Sequence, residues 1–206
     1  MTIDTDKIFP LIVPATYYTE TTWELPHFSL TNKFFILTWV IFGTATSMVY
    51  LDKKQYQFLN DNYKGWQQKA FENLRYSISD EENFYTYFKK SNDRKRLIYI
   101  AFMNSDGIGS SRILLSNELT RAFPNGYYVA LPDRSCGLII PKGIEEKELK
   151  EIKFQVTKMH KTATTAMSGQ LHSSNEFTLP DDWAKPIDEG FSIILTNEID
   201  KLTIPG

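Results

Sequence analysis

The residues with the most chemistry to offer lie close together in the middle of the chain. Ser110-Ser111-Arg112 follows Gly107-Ile108-Gly109, and Arg134 lies in the segment Pro132-Asp133-Arg134-Ser135. Two serine hydroxyls and two planar, two-pronged guanidinium groups are donors suited to an anion. A loop entering a helix start would add backbone N–H groups to them. Ser110, Ser111, Arg112 and Arg134 are therefore the expected anion-binding residues. The glycines by themselves are a weak signal. No lysine follows the last of them as in a P-loop, and the third glycine of a dinucleotide fingerprint is missing. A strand-to-helix loop with a serine N-cap explains the same residues. For Arg134 the plain alternatives are an exposed turn or an Arg–Asp pair tying loop to hairpin.

Other chemistry fails on spacing. His27, His160 and His172 have no carboxylate or thiol at a metal-ligand spacing, so no metal is expected. No G-x-S-x-G elbow occurs, and His172-Ser173-Ser174 has no partner that the sequence identifies. No catalytic residue is assigned and no cofactor is expected. Cys136, the single cysteine, excludes an intrachain disulfide, fits a reducing compartment and reads as a small buried hydrophobe. A net charge of −2 and a pI near 6.0 show no sign of the basic face that nucleic acid requires. Residues 89–96 hold five basic side chains, but Asp93 dilutes them and a solvated loop is expected there.

The elements that must position these residues follow from periodicity and turn chemistry. Pro124-Asn125-Gly126 ends a short amphipathic helix whose apolar side is Ile113, Leu114, Leu119, Ala122 and Phe123. Strands are expected over 127–131 and 137–140, joined through Pro132. The apolar run 97–103 reads as a strand buried on both faces. Asp52 caps a short helix over 53–59, and 60–78 reads as a longer one with Tyr63, Trp66, Ala70, Phe71, Leu74 and Ile78 inward. A capping box is expected at Ser79 and Glu82. A helix over 145–161 buries Leu149, Ile152, Val156 and Met159, with glutamates in its first turn and cations in its last. Trp66 and Leu149 are the expected core anchors. Strands over 171–179 and 191–196 complete the set.

Residues 34–51 are eighteen uncharged residues, a length at which a membrane helix must be considered. The interruption at 43–47 and the β-branched, aromatic flanks favour two strands instead. The expected fold is α+β, a mixed, largely antiparallel sheet with helices packed on it. Residues 1–33 are expected as an N-terminal arm or edge strand and 34–206 as a single domain. The opening residues lack the layout of a secretory signal, so the expected location is cytoplasmic, without membrane contact.

Ser111-Arg112-Ile113-Leu114-Leu115, followed by Gly126-Tyr127-Tyr128-Val129-Ala130-Leu131-Pro132-Asp133-Arg134, resembles the YtpQ-type family of bacterial proteins, a domain of unknown function. Tyr50-Leu51-Asp52 and Ala70-Phe71-Glu72-Asn73-Leu74 are weaker echoes of the same family, and the resemblance spans roughly residues 35–180. Where the family often has Asn, Arg and Asp around the turn, this chain has Asp133-Arg134-Ser135. The resemblance implies a mixed α+β fold in the bacterial cytosol and no activity. The expected function is a non-enzymatic protein-interaction module of regulatory or immunity type, whose partner is another protein. The alternative is a hydrolase or transferase acting on an anionic substrate at the 105–112 loop and the hairpin tip. Convergence of the four site side chains on one pocket would favour the enzyme, and an exposed apolar face the binder.

Overall fold

The computed structural model describes residues 1–17, 24–31, 33–44, 47–77, 84–93, 95–104 and 107–184. It is an α+β fold built on two antiparallel sheets. In the first, β1 (Ile8–Pro14) and the short β2 (Phe28–Ser29) flank β3 (Phe35–Thr44), and β4 (Ser47–Tyr50) pairs with β3 beyond β2. The second runs in the order β5 (Phe84–Lys90), β6 (Leu97–Asn104), β8 (Cys136–Pro141), β7 (Tyr127–Asp133), β9 (Leu171–Ser173). The stretch 35–50 is thus two strands, and among the described residues no helix is long and apolar enough to cross a membrane.

The strands expected to share one sheet divide between two. Apolar side chains leave β6 on both faces, with an irregularity of its pairing opposite Lys89 and Lys90. Leu97, Ile100 and Phe102 enter the larger core, shared with β1 and β3, while Ile98 and Ala101 enter a smaller one on the opposite face. A second layer is needed on each side. The first sheet covers one face of β6, and the helix Glu146–Thr162 covers the other through Ile152 and Val156.

The expected 53–59 and 60–78 helices are α1 (Lys53–Asn62) and α2 (Trp66–Tyr76), separated at Gly65, whose φ is +79°. The break leaves Tyr63 on the surface. Trp66, Ala70, Phe71 and Leu74 are buried, and Trp66 packs edge-on against Trp39 of β3 with ring centroids 4.8 Å apart. Ile78 and the Ser79–Glu82 capping box lie outside the described residues. Within α2, Arg75 is buried between Glu72, at 2.7 Å, and Glu118, so it joins α2 to α3 (Ser116–Ala122). The segment before α3 is a 3₁₀ helix, Gly109–Leu114, rather than the first turn of one continuous helix.

Further expectations are corrected. The charged stretch before residue 97 contains β5, because Thr86 and Phe88 alternate inward against the apolar β6. Arg96 is no part of a solvated run: it makes a two-pronged ion pair with Glu148 at 2.7 and 2.8 Å and meets Glu145 at 3.1 Å, fastening the β5–β6 turn to the start of α4 (Glu146–Thr162). On α4, Ile152 and Val156 are buried. Leu149 is only half-buried and Met159 is 37% exposed, while the helix packs on β7. After β9 the chain turns into a 3₁₀ helix, Ser174–Phe177, where a strand to 179 was expected; residues 191–196 lie outside the described residues.

Candidate functional site

The β7–β8 hairpin carries Arg134 at its tip, and two segments hold that tip rigid. The Arg134 N–H donates to the Thr165 carbonyl at 3.1 Å, and its carbonyl accepts from the Ser110 N–H at 3.2 Å. Asp133 fixes the same turn from its side chain. It accepts from the Ser135 N–H at 2.8 Å, the Ser135 hydroxyl, the Thr165 N–H at 3.1 Å and the Thr165 hydroxyl at 3.0 Å. Burial alone would raise the Asp133 carboxyl, but these donors together outweigh it and hold its pKa below the usual value. The two oxygens of Asp133 are therefore committed to the turn.

The Arg134 side chain lies over Gly107 and lines a cleft of about 710 Å³ with Met48, Asp133, Ser135, Thr164 and Thr165 among its other walls. Gly107 has φ +82°, and a Cβ there would sit 3.0 Å from Arg134 Nε, so glycine is needed for both backbone and contact. Among the described residues no carboxylate lies within ion-pair distance of Arg134, and its buried Nε has no acceptor. Beside it lies the buried Tyr50 hydroxyl, with Tyr17 as its other neighbour. Burial first, then Tyr17, push the Tyr50 pKa up to about 12, with the Arg134 charge acting the other way.

The other three expected site residues do not reach this cleft. Gly109 explains why the loop is buried: a Cβ there would meet the Ser135 carbonyl oxygen at 2.1 Å, so the loop packs directly against the hairpin backbone. Ser110, Ser111 and Arg112 are fully buried beneath it. Ser111 Oγ accepts the Ile12 N–H at 3.1 Å and so satisfies the outer edge of β1. The Arg112 guanidinium donates to Thr86 Oγ1 and the Ser77 carbonyl, each at 3.1 Å, and lies 5.9 Å from the Phe102 ring centre. Ser110 Oγ is buried without a partner and does not line the cleft. Asp106, near Arg134 and Arg112 in the expected cluster, lies outside the described residues. Cys136 is buried, and its thiol is pushed up to about 12 by burial and by Asp133, which disfavours the thiolate.

Two features escaped the sequence. His172, without an evident partner in the sequence, has two: Ser168 Oγ lies 2.9 Å from Nε2, and Glu176 Oε2 lies 3.4 Å from Nδ1. The i, i+4, i+8 spacing was the available signal. The ring is 4% exposed and packs edge-on against Phe35 and Phe177. Burial lowers its pKa and Glu176 partly opposes that, so the imidazole is neutral at pH 7. The second feature is the outer face of β5. Tyr85 and Tyr87 stack with centroids 6.5 Å apart, Tyr99 of β6 follows 6.3 Å from Tyr87, and Lys89 continues the exposed row. Compared with protein-family models, curated proteins and solved structures, the chain matches none.

Proposed function

We propose that the chain is a protein-interaction module that binds an extended, acidic segment of another protein along β5. The observation that carries this reading is the tyrosine row at a sheet edge. β5 pairs only with β6 among the described residues, so its other edge has backbone groups able to accept one more strand. Tyr85 is 55% and Tyr87 38% exposed, and aromatic side chains bring large contact area at low entropic cost. Lys89 stands on the same face, with Lys90 and Lys95 close in sequence, which selects for carboxylates. The same lysines disfavour a second copy of this chain as the added strand. The enzyme alternative at 105–112 and the hairpin tip loses support, because Ser110, Ser111 and Arg112 are buried and do not line the cleft that Arg134 lines.

Selection of a random peptide display library on the full chain tests the module. The expected outcome is enrichment of acidic peptides with alternating apolar positions, bound at least about tenfold more weakly by Tyr85→Ala/Tyr87→Ala and by Lys89→Glu. Peptides that bind these variants as tightly as the parent, or no enrichment at all, would sink the reading.

One observation favours a second reading, acyl transfer by Ser168. Its hydroxyl, a neutral imidazole and the Glu176 carboxylate stand in the order nucleophile, base and orienting group. A fluorophosphonate probe is the direct check. Labelling at Ser168 that disappears in His172→Gln supports it, and an unlabelled parent removes it.

A further inference from the structure

The cleft at the hairpin tip is not used by either reading above, and its chemistry is incomplete in one direction. Arg134 brings a full positive charge to a space of about 710 Å³, within the roughly 300–1,000 Å³ typical of small-molecule sites. Among the described residues its buried Nε–H meets no acceptor at hydrogen-bond distance. Buried donors are nearly always satisfied, and a guanidinium finds its strongest partners in carboxylate or phosphate. Among the described residues Asp133 is the carboxylate on the cleft wall, and it cannot serve, since Ser135 and Thr165 hold both its oxygens. A cation is disfavoured by the Arg134 charge, and a purely apolar ligand by the hydroxyl-bearing walls at Ser135, Thr164 and Thr165.

We propose that this cleft binds the oxyanion of a small molecule, a phosphate or carboxylate group, with Arg134 as its charged anchor. The arrangement is pre-built. Both backbone groups of Arg134 are hydrogen-bonded, to Thr165 and Ser110, so the anchor is positioned before any ligand arrives. Gly107 leaves the guanidinium room that any side chain would take. Met48 and Ala163 supply an apolar wall, which suits a ligand carrying carbon as well as charge.

Calorimetric titration of the full chain with inorganic phosphate and with citrate, at ionic strength held constant with sodium chloride, tests the proposal. Saturable binding of at least one of them is expected. Stronger phosphate binding identifies a phosphate ester as the ligand class, and stronger citrate binding a carboxylate. Arg134→Met should weaken binding by at least about tenfold, the loss of one charge-assisted contact, while Arg134→Lys retains part of it. Thr164→Glu, an exposed position at the cleft rim, should weaken it through repulsion and guards against a variant that fails to fold. Tyr85→Ala/Tyr87→Ala should leave anion binding unchanged, which separates this site from the β5 face. No saturable binding by the folded parent, or equal affinity in Arg134→Met, overturns the proposal.

Discussion

Arg112 and Arg134 are the same residue type, flank the same packing contact between loop and hairpin, and look alike in the sequence. Their environments are opposite. Arg112 is closed in by β5, the end of α2 and Phe102, with a hydroxyl and a carbonyl as acceptors. Arg134 stands on a turn whose carboxylate is already committed, and it faces open space. An arginine becomes a structural tie when neighbouring elements bring acceptors to it and close over it. It becomes a binding group when its neighbours spend their acceptors on one another.

The largest effect that this contrast predicts is at Arg112. Arg112→Ala removes a fully buried side chain and leaves the Thr86 hydroxyl and Ser77 carbonyl without their donor. It should cost about 3–5 kcal/mol. Urea denaturation measures it, and a loss no larger than that of Arg134→Ala would erase the distinction drawn here.

A smaller, pH-dependent effect belongs to the turn that holds Arg134. Asp133→Asn should cost about 1–2 kcal/mol at neutral pH, because charge-assisted bonds from Ser135 and Thr165 are weakened. The Asp133 pKa is lowered in the folded state, so the unfolded chain takes up the proton more readily. Its contribution is present above the unfolded carboxyl value and is lost as pH falls through the folded one. His172, also lowered, adds a loss of the same sign that begins as pH drops below the usual histidine value of 6.5. Thermal unfolding between neutral and acid pH should show both phases in the parent. Asp133→Asn should keep the histidine phase and reduce the carboxyl phase, to which Glu148, lowered by its hydrogen bond to Arg96, also contributes. A flat profile would mean that neither group is tied to the fold as described.

The smallest effect sharpens the contrast. Arg134→Ala should change stability by less than about 1 kcal/mol, since the backbone of Arg134, not its side chain, carries the ties to Thr165 and Ser110. Thermal shift in chloride buffer checks this. A drop as large as that of Arg112→Ala would make Arg134 a structural tie as well.

The comparison also marks how far the sequence could be read. The strands of 35–50, β6 and the β7–β8 hairpin were legible because apolar runs and turn residues act within a few positions. The helix α4 was legible for the same reason. Its Leu149 was misplaced, since periodicity names a face without saying how far the partner sheet extends beneath it. Trp66 was placed correctly, because Ala70, Phe71 and Leu74 continue its apolar stripe at helical spacing. β5 was obscured by the charges around it, and only its pairing with β6 makes its alternation meaningful.

For the candidate site, composition and local spacing determined that a loop with Gly107 and a hairpin tip with Arg134 would exist. Pairing across the chain decided the rest. Thr165 reaches Asp133 from 32 positions away, and Ser111 reaches Ile12 from 99, through hydrogen bonds that leave no periodic trace in either segment. Local sequence sets which elements form, because backbone propensity and turn geometry are short-ranged. Which donors are used up, which are buried and which face a cleft depends on elements meeting in space, and that tertiary packing separated Arg134 from Arg112.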